Sequence, residues 1–170
     1  MTRCNGVGVK GGRCNDAGGG EGLGIVKWMD LVEVVESGVF EATDAESVVI
    51  DGTTFYKDAG AAEMRILAVT DAVAISELGV FDTTGDAQSV AIDGTTAYVA
   101  DGADVLLVLD VIVSASPERV AVYETDGPAQ LVTLPLAGTT AYASDVPNGV
   151  VAIDVTVPSL GNHASSASLS

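Results

Sequence analysis

Along residues 89–124 the apolar positions recur with a period of two, not the 3.6 of a helix. "SVAI" runs into Asp93-Gly94, a hairpin signal, and "AYVAD" follows it, rich in strand formers. A second turn at Gly102 leads to "VLLVLDV", a near-continuous apolar run that suits a strand covered on both faces. A linker containing Pro117 then leads to "RVAVYET". The pattern predicts four short strands, each followed by a turn.

The same pattern recurs. "DGTTAYVADG" at 93–102 has counterparts in "DGTTFYKDAG" upstream and "AGTTAYASDV" downstream. The turn glycines Gly52, Gly94 and Gly138 lie 42 and then 44 residues apart. A worn fourth copy, "VGVKGGRCNDAGG", opens the chain with Gly11 in the place of Gly94. Four-stranded units repeating at about 40–45 residues describe β-propeller blades, each too small to bury its faces alone. The expected fold is all-β: one propeller domain over 1–170, built of four four-stranded blades. The repeat units are 5–36, 37–77, 78–119 and 120–164, with a weak last strand at 165–170. A β-solenoid is the structural rival, but its coils usually repeat at shorter periods. The blades can close a four-bladed ring, which would make the chain a monomer, or form part of a larger propeller. The closed ring is the expectation, because a cut ring would leave apolar blade faces wet.

"VFDTTGDAQSVAIDGTTAYVADGADVLLVLDV" resembles the LVIVD repeat of bacterial and archaeal surface proteins. The resemblance rests on Phe81-Asp82-Thr83, the small Ala87, "AYVADG" at 97–102 and the aliphatic run closing on Asp110. "VVAIDV" at 150–155 repeats that close with Asp154, whereas Lys27 and Ala68 stand there in the first two units. The period is also similar to that of YVTN-type propellers. The resemblance implies a β-propeller and an exported or surface-attached location. It implies no catalytic residues.

Charge narrows the partners. Seven Lys and Arg stand against 24 Asp and Glu, a net charge of −17. That field repels nucleic acid and favours basic proteins, other cationic ligands or a salty environment. No apolar run reaches the roughly 20 residues of a bilayer span. The start, "MTRCNGVGVKGG", is too polar and Gly-rich to read as a signal peptide.

Most chemistry-bearing residues have plain structural readings. Cys14 replaces Phe55, Ala97 and Ala141 in the repeat, and Cys4 replaces Ala45 and Ala87, so both read as small packed thiols. With the first turn at Gly11-Gly12, Cys14 pairs across from Val9, leaving Cys4 too far along the strand for a disulfide. His163, the one histidine, lies in the polar tail "GNHASSASLS", without the support a catalytic triad needs. Lys10 is followed by Gly11 and no helical pattern, unlike a phosphate loop. Tyr56, Tyr98 and Tyr142 are repeat-equivalent and read as packing or strand-surface residues, and Trp28 reads as core.

The acids are the feature left over. In a four-stranded blade the turns alternate between the two ring faces. The larger share of acids falls to the face with the turns after strands two and four, including Asp58, Asp82, Asp86, Asp101, Asp104, Asp126 and Asp145. These seven are the candidate binding residues. Calcium prefers convergent carboxylate and carbonyl oxygens, which such turns can offer, although no EF-hand spacing is present. A solvated acidic surface adapted to high salt is the plainer reading. The expected function is a non-enzymatic binding or scaffold module, surface-associated and needing no cofactor. The alternatives are a calcium-dependent, lactonase-like propeller hydrolase and a purely structural segment of a larger surface protein.

Overall fold

A computed structural model describes residues 6–10, 13–17, 23–30, 33–40, 47–58, 63–71, 74–102, 105–125, 127–134, 139–145, 149–156 and 167–168. These residues are all-β and form four antiparallel four-stranded sheets. The first sheet holds β1 (Gly6–Lys10), β2 (Arg13–Ala17), β3 (Leu23–Asp30) and β4 (Glu33–Phe40). The second holds β5 (Val48–Asp51), β6 (Thr54–Asp58), β7 (Glu63–Asp71) and β8 (Ala74–Asp82). The third holds β9 (Ser89–Asp93), β10 (Thr96–Ala100), β11 (Val105–Asp110) and β12 (Glu118–Glu124). The fourth holds β13 (Ala129–Thr133), β14 (Thr140–Asp145), β15 (Gly149–Asp154) and the two-residue β16 (Ala167–Ser168). Within each sheet the strands are neighbours in sequence order.

The hairpins follow from the turn residues. Asp93 pairs with Thr96 across Gly94-Thr95, and Gly94 takes a left-handed φ of 57° that a residue with a Cβ rarely adopts. The second, third and fourth blades repeat one further backbone bond, from the end of the third strand to the residue before the second. The amides of Val69, Val111 and Val155 donate to the carbonyls of Thr53, Thr95 and Thr139, at 2.8, 2.9 and 2.7 Å. In the first sheet Val9 pairs with Cys14, as the turn at Gly11-Gly12 predicts. Cys4 and His163 lie outside the described residues.

The sheets stack in series. Inner strand β1 meets β5, β5 meets β9, and β9 meets β13. The core lies in the layers between blades. Val48, Phe55, Leu67 and Val69 form one cluster, with Phe40 of the first blade against it. Tyr56, Met64 and Ile66 of the second blade pack on Ala97, Val99, Leu107 and Leu109 of the third. The opposite face of the third blade, with Tyr98, Leu106 and Val108, packs on Val132, Ala141, Ala143 and Ile153 of the fourth. Alternate residues of β10 therefore serve two different interfaces. That is why "AYVA" carries no polar position: a strand covered on both faces reads as a continuous apolar run. Each large side chain so buried contributes roughly 1.5–3 kcal/mol.

The fourth blade departs from the ring closure that the sequence suggests. Tyr56 and Tyr98 are 5% and 2% exposed, while the equivalent Tyr142 is 36% exposed. Leu106 is fully buried and its counterpart Val150 is 41% exposed. Among the described residues, the far face of this blade therefore exposes side chains whose counterparts in the third blade are buried.

Candidate functional site

The described candidate acids belong to the segments that enter the inner strands and to the ends of the second strands. At the junction of the third and fourth blades these segments frame an open cleft of about 450 Å³. Among the described residues, Thr84, Gly85, Asp86, Gln88, Gly102, Pro128 and Gln130 line it.

The cleft is built on Asp101. This side chain is fully buried at the end of β10. Its Oδ2 accepts from the Thr84 amide at 3.2 Å and the Thr84 Oγ1 hydroxyl at 3.1 Å. The Gly85 amide donates to both carboxylate oxygens, at 3.1 and 3.0 Å. Charge-assisted bonds of this kind are roughly twice as strong as neutral ones, so Asp101 holds the loop before β9 against the end of β10. Thr83 Oγ1 donates to the Gly85 carbonyl at 3.1 Å, and Thr125 Oγ1 repeats this with Gly127 at 2.6 Å. Both entry loops thus carry the same local clasp.

Two hydrogen bonds join the two blades beneath the cleft. The Gly102 amide donates to the Ala129 carbonyl at 3.1 Å, and the Val132 amide to Ser89 Oγ at 3.4 Å. Gly102 has a φ of 44°, and a Cβ there would stand 2.8 Å from the Asp86 carbonyl oxygen. The floor is therefore a close backbone crossing that favours glycine.

The candidate acids take different places around this frame. Asp86 is exposed and lines the cleft, and Asp82 is exposed at the end of β8, where its backbone pairs with Glu63. Asp101 lies beneath the surface with its carboxylate bound to the loop, so it supports the rim from inside instead of facing a ligand. Asp58 and Asp145 end β6 and β14, where they pair with Met64 and Ala129 respectively. Asp104 and Asp126 lie outside the described residues. Among the described residues, no group of three or more His, Cys, Asp or Glu converges as a metal-holding set.

Sequence reasoning passed over the two amides of the cleft. Gln88 and Gln130 stand 42 residues apart, so the repeat itself pairs them. That spacing was the available signal. It was hidden because attention to charge favours acids over amides.

The aspartates that close the third strands have a structural role. Asp110 Oδ1 accepts from the Ile112 amide at 2.8 Å, and Asp154 Oδ1 from the Thr156 amide at 2.9 Å and from the Thr156 hydroxyl. The Thr156 hydroxyl, then its amide, lowers the Asp154 pKa from the ordinary carboxylate value. These carboxylates cap the turn after the strand, on the rim opposite the cleft. There Asp110 and Glu118 line a second hollow of about 340 Å³ with Ile112, Val113 and Ser116.

Comparison with known proteins agrees with the repeat. Residues 84–125 match the LVIVD repeat. No curated protein matches the chain in sequence. Among solved structures, the putative 6-phosphogluconolactonase of Bacteroides uniformis aligns with a TM-score of 0.79 at 13% identity, over 96% of this chain and 55% of its own. A functionally unknown protein of Desulfotomaculum acetoxidans aligns with a TM-score of 0.78 at 12% identity, over 98% and 56%. The computationally designed Ika8 protein aligns at 0.71 and 6% identity, over 91% of this chain and 46% of its own. The designed Ika4 protein aligns at 0.70 and 6%, over 91% and 92%. The fold is propeller-like, and the chain spans about half the length of three of these four structures.

Proposed function

We propose that the chain is a non-enzymatic binding or scaffold module that receives a cationic group of a protein partner in the cleft between its third and fourth blades. The observation that carries this reading is the built floor of that cleft. Asp101 spends its carboxylate on the loop, which holds Asp86 beside the amides of Gln88 and Gln130. Asp86 supplies the charge and the glutamine carbonyls can accept from a lysine ammonium or an arginine guanidinium. None of the seven described residues that line the cleft is basic. The net charge of −17 steers cations towards it.

The reading includes an exported or surface location, which rests on the resemblance to the LVIVD repeat. It involves no cofactor. The activity in the name of the Bacteroides protein is not carried over at 13% identity.

A titration of the isotope-labelled protein with hexalysine, followed by amide chemical shifts, tests the proposal. Shifts centred on residues 84–88, 102 and 128–130 are expected, fading as salt is added and reduced several-fold in Asp86→Lys. Shifts spread evenly over all acidic turns would leave the cleft no special role and overturn the proposal. A rise in melting temperature at millimolar calcium would instead support the calcium-dependent alternative.

A further inference from the structure

We propose that the uncovered face of the fourth blade is the docking surface for the first blade of a second copy of this chain. In β13–β15 the register aligns Leu131 with Ser144 and Val150, and Tyr142 with Ala152, so these five positions share one face of the sheet. Leu131, Val150 and Tyr142 are 56%, 41% and 36% exposed. Their counterparts one blade earlier are Ser89, Leu106 and Tyr98, none more than 4% exposed. The difference lies in what covers them. The face of the third blade is closed by the fourth, through the side of that sheet that carries Ala141 and Ile153. The fourth blade offers the same kind of face, exposed at Leu131, Tyr142 and Val150.

The first blade has the complementary register. Val9, Cys14 and Val26 form one row across β1–β3. That row corresponds to Ile50–Phe55–Leu67 in the second blade and Ile92–Ala97–Leu109 in the third. In both later blades Phe55 or Ala97, with Leu67 or Leu109, lies in the layer that receives the preceding sheet. A second copy can therefore continue the stack with its own first blade, using an interface the chain already uses internally. Two copies joined this way twice, the fourth blade of each on the first blade of the other, give a structure twice the length of one chain. The chain spans 46%, 55% and 56% of three propeller-like structures that it matches. Such a head-to-tail contact closes only if the rotation per copy returns to the start.

Electrostatics sets the sign of the salt effect. Two chains of charge −17 repel, while the contact itself is apolar. Salt should strengthen this association, whereas it should weaken the cation binding proposed above. The two proposals therefore fail separately.

Sedimentation of the wild-type chain over a range of concentrations, at low and high salt, gives the test. The expected mass rises from 17.1 kDa to twice that value, at lower protein concentration when salt is high. Leu131→Glu and Val150→Glu should each weaken association at least about tenfold, while circular dichroism stays unchanged because both side chains are exposed in the single chain. Ile112→Glu, on the opposite rim, should leave association unchanged. In a Cys4→Ser background, Tyr142→Cys treated with a short bismaleimide should give linked dimers that disappear on Cys14→Ser. A monomer at every concentration overturns the proposal. So does a dimer indifferent to both glutamates, a link that survives Cys14→Ser, or a link within one chain.

Discussion

Asp101 and Asp86 show how little a residue type reveals of its use. Both are aspartates in turns on one rim, yet one is exposed in the cleft and the other is fully buried. The difference lies in donors 16 and 17 residues away, the amides of Gly85 and Thr84. No local pattern announces that meeting, so the sequence places Asp101 on the rim but not beneath it. Asp101→Ala should cost about 2–4 kcal/mol in urea unfolding, since it strands buried amide donors. Asp101→Asn, which keeps the shape and one acceptor, should cost distinctly less. Gly102→Ala should cost about 1–3 kcal/mol, from a left-handed backbone and the crowding of the Asp86 carbonyl. At the opposite rim, Asp154 is held below the ordinary carboxylate value of 3.8. Its folded-state pKa lies under its unfolded one, so its contribution is present above that value and lost as pH falls through the folded value. A Thr156→Val variant should remove the hydroxyl part of this shift in a carboxylate NMR titration.

At the scale of strands, the sequence was legible wherever a blade is covered on both sides. "SVAI", "AYVAD", "VLLVLDV" and "RVAVYET" fall on β9 to β12, because alternation, Asp-Gly turns and apolar runs all agree there. The fourth blade is harder to read. Its inner hairpin is two residues longer, and β13 alternates buried Val132 with exposed Leu131 and Thr133. Leu131 is apolar and exposed, so hydropathy alone gives no clue to its state. The interfaces make a quantitative claim. Leu106→Ala should cost about 2–5 kcal/mol, since Leu106 is fully buried. Val150→Ala, at the equivalent place, should cost no more than about 0.5 kcal/mol in the isolated chain. The buried tyrosines give a pH claim. Burial, then the charge of Asp51 or Asp93, pushes Tyr56 and Tyr98 above their ordinary 10.0. A raised folded-state pKa means the stabilisation is intact below the unfolded value and lost as pH rises through the folded one. Melting temperature should therefore fall on the alkaline side, and Tyr98→Phe should flatten that limb.

At the scale of the whole molecule, the repeat decides the architecture and the charge decides the conditions. Four blades packed in series explain why the core is a set of layers between sheets and not one central mass. Seventeen unbalanced negative charges oppose that packing, so melting temperature should rise with salt even for the isolated chain. Whether the stack ends or closes was beyond the sequence, because a blade that caps a series and one that continues it share the same pattern. Hydrogen exchange of the backbone amides, in dilute low-salt solution where the chain is single, tests the serial stack most directly. The slowest exchange is expected in β10 and β11, which neighbouring blades cover on both sides, with clearly faster exchange in the equivalent β14 and β15. Equal protection of β10 and β14 under those conditions would contradict the account, because it would mean that the fourth blade is covered within one chain.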